Sequence, residues 1–303
     1  MKLLVSIIGP TGIGKTKVTI KLAKFFNTEI ISCDSRQFYK ELKIGTSTPN
    51  NKDLKKIKHH FIGHKSIIDN YNVYKFQNDA INLIKKLFNI YNIIFLVGGS
   101  LLYEKSIIEG INYIPKIKNK KKLLIYRNKL YKKSNSYLLK KIKKKDNIFY
   151  KNFLKNKKDK IKIIRALEVY HFNKKKISYY YKKKIKKRPF NKYLRIGLID
   201  SRKVIYNNIN NKVDKMINKG LLNEVKKLYK YRNCKLNSLN TIGYKEFYNK
   251  KKINIYSCIE EIKKNTRNYA KRQIIWLRKM KDIVWFNPNY INNIKKLILN
   301  NIN

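Results

Sequence analysis

The octapeptide GPTGIGKT, Gly9 to Thr16, directly follows the apolar run LLVSII. It fits G-x-x-x-x-G-K-[ST], the loop that cradles phosphate. The run before it reads as a buried parallel strand, and KTKVTIKLAKFF after it reads as a helix. Glycines let the loop's backbone N–H groups turn inward onto phosphate oxygens. The positive end of the next helix adds attraction. Lys15 would reach the outer phosphate oxygens, and the Thr16 hydroxyl would ligand Mg2+. The backbone of Gly9, Pro10, Thr11, Gly12, Ile13 and Gly14 completes the cradle. A loop in this setting commits the first part of the chain to an α/β fold.

The rest of the first third agrees. TEIIS reads as a second strand, NVYKFQNDAINLIKKLF as a helix, NIIFLV as a third strand ending in Gly98-Gly99, and SLLYEKSIIEG as its helix. Strands alternating with helices predict a parallel sheet flanked by helices, of the phosphate-loop nucleotide hydrolase and kinase kind. From about Asn112 the character changes to Lys-rich, amphipathic helical patterns such as KIKIIRALEVYHF. YLRIGLID then returns as a strand, followed by a helical hairpin broken at Gly220, the loop TIGYKEF feeding a helix, a long basic helix over Ser257 to Lys281, and a last strand DIVWF. The expected organisation is a catalytic core over 1–111, an all-helical insertion over 112–190, and a return to the core over 191–303.

Lysine and arginine number 73 against 18 acidic residues among 303, a net charge of +55. Such a field attracts polyanions, nucleic acid first. The crowding of Lys, Asn, Ile and Tyr also matches A/T-rich codons, so composition accounts for part of it. Runs such as KKKIKKR are solvated faces in the plain reading. Cys33, Cys234 and Cys258 lie far apart, with no metal-ligand or disulfide spacing, which fits a reducing, cytoplasmic setting. No run approaches the roughly 18 apolar residues of a membrane span.

Which phosphate the loop holds is a separate question. A nucleotide hydrolase of this fold usually carries an Asp at the end of a second strand to orient Mg2+ and water. Here IIFLV ends in Gly98-Gly99-Ser100, without an acid. The nearest acid is Asp34, where small-molecule kinases of this fold often put one near the acceptor. The loop alone leaves nucleotide hydrolysis, kinase chemistry and a third option open.

The third option rests on an ordered set of blocks: GPTGIGKT, ISCDSRQFYKELKIGT, HHFIGHKSIIDNYNV, LVGGSLLYEKSIIEG, IIRALEVY, TIGYKEF and TRNYAKRQIIWLRK. Together they resemble the tRNA dimethylallyltransferase family, from about Leu4 to about Phe286. The resemblance implies transfer of a dimethylallyl group from dimethylallyl diphosphate to N6 of adenosine 37 in a tRNA anticodon stem-loop, with Mg2+. It implies that Asp34 is the base that takes the amine proton. The loop then holds a diphosphate leaving group rather than a nucleotide. Thr11 matches a substrate-contacting position. Ser100 matches the family's threonine after the two glycines. Thr11 and Ser100 both keep the hydroxyl, so the resemblance implies a catalytic hydrogen-bonding role for them near the amine or the bridging oxygen.

The target base must leave the stacked loop to reach Asp34. Ser35, Arg36 and Gln37 follow that residue, and the Gln37 amide suits an adenine edge. Thr241, Gly243, Tyr244 and Lys245 match a family loop that contacts tRNA, as do Ile161, Lys162 and Arg165. Arg267, Lys271 and Arg278 repeat near helical spacing and suit phosphate contacts. Trp276 reads as core. Departures mostly exchange Arg for Lys: Lys212 at the position of a diphosphate-clamping arginine, Lys122 and Lys162 at two further arginines. Lysine keeps the charge and loses the bidentate fork. Thr48 stands where the family has a lysine. The protein is expected to be a monomer with no membrane contact.

Overall fold

The computed structural model describes residues 1–115, 117, 119–154, 156–182, 187–234, 236–248 and 254–302. The middle of the run KKKIKKR lies outside them. The chain packs as two compact units, Met1–Glu109 with Arg188–Asn303, and Gly110–Lys187.

The larger unit is built on six parallel strands: β1 (Leu3–Ile8), β2 (Ile30–Ser32), β3 (His59–His60), β4 (Ile93–Val97), β5 (Lys192–Leu198) and β6 (Ile283–Phe286). Their order is β3-β2-β4-β1-β5-β6. β1 lies between β4 and β5, and every one of its residues is buried. That is why LLVSII is apolar on both faces rather than alternating. Four helices lie in the first part of this unit: α1 (Lys15–Phe25), α2 (Asn51–Lys56), α3 (Val73–Leu87) and α4 (Leu101–Ile108). Apolar residues of α1 and of the upper sheet face form one core, and those of α3 and α4 cover the other face.

The smaller unit is helical: α5 (Lys120–Tyr131), α6 (Asn135–Lys145), α7 (Lys160–Asn173) and α8 (Ile177–Tyr181), with a short π-helical turn at Phe149–Phe153. Leu138, Ile142, Ile163 and Leu167 belong to its own core, and none of its described lysines is buried. The Glu168 carboxylate, buried in that core, accepts from Arg127 Nε at 2.6 Å.

The return to the larger unit adds α9 (Arg202–Asn218), α10 (Leu221–Leu228), α11 (Lys245–Tyr248), α12 (Ile255–Leu277) and α13 (Ile291–Leu299). Gly220 separates α9 from α10 with φ of 91°, so the expected break falls there. Three elements were not expected: β3, α2 and α13. A two-residue strand has no periodicity to read; His59 and His60 become a strand only by pairing with Ile30 and Ile31.

One buried ion pair fixes the helix that starts beside the loop. Arg195 on β5 is the register partner of Ser6 on β1. Its guanidinium donates to Glu104 on α4 at 2.8 Å, and the Ser6 hydroxyl donates to the same oxygen at 3.0 Å. Both charged side chains are inside the unit. This network sits one turn into α4 and so fixes where Ser100, at the start of that helix, stands.

Candidate active site

The carboxyl ends of β1, β2 and β4 meet at a cavity of about 1180 Å³. This is the edge at which open parallel sheets take their ligands. All the residues lining the cavity belong to the larger unit.

The phosphate loop forms its floor. Gly14 caps α1 with φ of 91°, a left-handed conformation that glycine adopts without strain. Thr11, Gly12, Gly14, Lys15 and Thr16 line the cavity, while the Ile13 side chain is buried below. The Lys15 ammonium donates to the carbonyls of Gly9 at 3.0 Å and Pro10 at 2.9 Å. Burial brings its pKa down to about 8, the charge of Lys212 pushes the same way, and Asp34 and Cys33 oppose. Lys212 comes from α9 and is held low by burial, with Asp34 raising it. One turn before it, Asn208 donates to the Gly12 carbonyl at 3.2 Å. Helix α9 is therefore tied to the loop, and Lys212 faces the cavity.

Asp34 stands two residues past β2. One carboxylate oxygen accepts the Arg36 N–H at 3.1 Å, an Asx turn that orients the group. A Cβ built on Gly99 would lie 3.8 Å from the other oxygen and 3.9 Å from the Lys15 ammonium. The carboxylate and the ammonium thus flank the same turn. Gly98 lets β4 approach that closely, because a Cβ there would meet Cys33 Sγ at 2.5 Å and Asp34 N at 2.9 Å. The Ser100 hydroxyl accepts the Ser35 N–H at 3.0 Å and pairs with the Ser35 hydroxyl at 2.9 Å. Ser100 therefore orients the turn that carries Asp34, and does so from outside the cavity lining.

Several residues read as RNA contacts have their polar groups engaged within the chain. The Gln37 amide donates to the carbonyls of Thr46 and Ser47, at 3.3 and 3.2 Å, and accepts from Ser32 at 3.4 Å. Arg36 donates to the Asn237 carbonyl at 2.8 Å. Side-chain contact with RNA fails for Tyr244, which is fully buried. Its hydroxyl donates to Glu224 and accepts from the Gly45 N–H. Thr241 and Gly243 are buried too, with the Thr241 hydroxyl on the Ser238 carbonyl. TIGYKEF therefore braces the 43–48 turn from behind, and of Thr241, Gly243, Tyr244 and Lys245 only Lys245 keeps part of its surface. The block gave no sign of this, because burial of a Tyr is decided by what packs over it.

On α12, Lys271 and the capping Arg278 are exposed, and Arg267 donates to Asn210 at 2.7 Å. Trp276 is 44% exposed, so it is not core as expected. In the smaller unit, Lys122 and Ile161 are exposed, Lys162 pairs with Asp159 at 3.1 Å, and Arg165 reaches Glu168 at 3.4 Å. Among the cavity-lining residues that the sequence reading missed are Tyr269 and Gln273 on α12. Their spacing of four, in YAKRQ, was the available signal. Among the described residues no cluster of three or more His, Cys, Asp or Glu side chains could hold a metal by itself. No helix among them is long and apolar enough to cross a membrane.

The sequence model of one family, IPP transferase, matches residues 37–280. The tRNA dimethylallyltransferase 2 of Azobacteroides pseudotrichonymphae is 42% identical over 299 residues, covering 97% of this chain and 95% of that one. The tRNA dimethylallyltransferase of Christiangramia forsetii is 44% identical over 285 residues, covering 93% and 92%. Among solved structures, the tRNA isopentenylpyrophosphate transferase of Bacillus halodurans superposes with a TM-score of 0.72 at 31% identity, over 100% of this chain and 97% of that one. A eukaryotic dimethylallyltransferase acting on tRNA gives 0.79 at 27% identity, over 95% and 74%.

Proposed function

The chain belongs to the IPP transferase family, and we infer that it moves a dimethylallyl group from dimethylallyl diphosphate to N6 of adenosine 37 in tRNA anticodon stem-loops. One observation carries the reading. A carboxylate, Asp34, and a loop ammonium, Lys15, flank the same glycine turn at a cavity also lined by Lys212. A base and a leaving-group clamp are the two parts the reaction needs.

The exocyclic amine is a weak nucleophile, because its lone pair is delocalised into the ring. As its nitrogen bonds to the allylic carbon, Asp34 takes the departing N–H proton. The carbon–oxygen bond breaks with its electron pair going to diphosphate. Loop amides, Lys15, Lys212 and the Thr16 hydroxyl meet the charge that develops there. Ser100 keeps the Asp34 turn in place through Ser35. The hard oxygen donors fit Mg2+, which ordinarily takes few protein ligands alongside substrate phosphates. Thr16 would hold it with the diphosphate, and it would supply further charge neutralisation.

Exposed basic residues on α12 (Lys271, Arg278) and on the insertion (Lys122, Lys162) suit the RNA backbone. The reading implies a monomer in the cytoplasm, which sedimentation and localisation of a tagged chain would check.

The test is incubation with radiolabelled dimethylallyl diphosphate, Mg2+ and bulk tRNA, beside Asp34→Ala and beside an ATP-turnover assay. Label in RNA with wild type and none with the variant is the expected result. Tight tRNA binding without label would sink the transferase reading in favour of a non-catalytic binder. ATP turnover would return the chain to the hydrolase and kinase class.

A further inference from the structure

Gln273 is 3% exposed and sits on the inner face of α12, facing the cavity. Its carbonyl oxygen accepts the N–H of Thr11 at 2.9 Å, and its amide nitrogen donates to the carbonyl of Gly99 at 2.7 Å. One side chain therefore joins the phosphate loop to the turn beside Asp34. One helical turn earlier, the Tyr269 hydroxyl donates to the same Gly99 carbonyl at 3.2 Å. Burial and, next, the charge of Asp34 raise the Tyr269 phenol to about 12, so it stays a donor through neutral pH. None of these three bonds belongs to a helix or strand ladder.

We propose that Gln273 and Tyr269 are positioning residues for the transfer, holding the Thr11 peptide and the Gly99 turn in one arrangement around the reacting atoms. The proposal rests on the transferase reading. The Thr11 N–H points at Gln273, so it is withdrawn from diphosphate binding and serves as a fixed strut of the loop. The carboxylate side and the leaving-group side are then set at a constant separation. Misplacement of a reacting pair by about 1 Å can lower a rate about 100-fold. Lys271, Arg272 and Arg278 lie on the exposed surface at the same end of this helix. A basic helix facing polyanion thus also carries the brace of the site.

Gln273→Met keeps the length and removes both bonds; Tyr269→Phe removes one hydroxyl. Single-turnover transfer is measured at saturating dimethylallyl diphosphate and tRNA, per donor-binding site titrated in the same sample. Gln273→Met should lower that rate about 30-fold or more, and Tyr269→Phe about 3- to 10-fold, with the tRNA Kd within about twofold of wild type. A purely structural role would lower the melting temperature and the number of binding sites, leaving the rate per site unchanged. Rates per site within about twofold of wild type in both variants would overturn the proposal. If Gln273→Met does not fold, Tyr269→Phe decides by the same criterion. If wild type transfers nothing, the transferase reading is what fails. The brace is then judged on affinity for dimethylallyl diphosphate: at least about fivefold weaker in Gln273→Met supports it, and an unchanged Kd overturns it.

Discussion

Raising the pH from about 7 to about 9 should weaken binding of dimethylallyl diphosphate about tenfold, because Lys15 loses its proton over that range. In the free site its pKa is about 8, set first by burial and next by Lys212. About nine in ten molecules then carry a charged Lys15 at pH 7 and about one in ten at pH 9. A bound diphosphate puts opposite charge beside the ammonium and favours its charged form. A ligand that favours the protonated form binds more tightly at low pH, so affinity falls as pH rises through about 8. Binding should take up about 0.1 proton at pH 7, about 0.5 at pH 8 and about 0.9 at pH 9. The ester's own last ionisation lies near 6, below this window. Titration calorimetry in buffers of different ionisation heat reads the proton count directly. Because Lys212 is also held low, the measurement is made in Lys212→Arg, whose guanidinium stays charged throughout. A flat Kd from pH 7 to 9 with no proton uptake would refute the account of Lys15 as a buried, depressed cation.

Lys212→Arg should itself bind dimethylallyl diphosphate more tightly, by about 1.5 kcal/mol or roughly tenfold, since the fork adds a charge-assisted bond; an unchanged Kd at pH 7 would count against Lys212 as a diphosphate ligand. Arg195→Met should cost about 3–5 kcal/mol of stability in urea titration by stranding Glu104, with much of the loss recovered in Arg195→Met/Glu104→Leu. A single variant as stable as wild type would mean that the pair does not hold α4. Affinity for tRNA should fall about a thousandfold between about 50 and 200 mM salt if six phosphates are contacted. A shallow slope in filter binding would assign the +55 charge to composition.

The phosphate loop, both strands beside β1 and the Gly220 break were legible because each has a local cause: a run of apolar residues, a helical period, a residue that accepts positive φ. Asp34 was legible as the acid at the end of the second strand, with its role implied by the resemblance, and Lys212 through the resemblance alone. Tyr244, read as an RNA contact, and Trp276, read as core, went the other way. Their burial depends on what packs over them. Tyr244 closes over Gly45, whereas Trp276 stays partly uncovered on the outer side of α12.

The local sequence thus determined the loop, the sheet type, the helical insertion and the acid nearest the loop, since backbone preference and apolar period act over a few residues. Tertiary structure alone decided that Gln273 meets Thr11 across 262 positions, that Glu224 holds the 43–45 amides, and that Asp34 and Lys15 flank one turn. Those contacts join segments far apart in the chain. Only packing the two faces of the sheet brings their polar groups within hydrogen-bond reach, where burial then sets the charge state of Lys15.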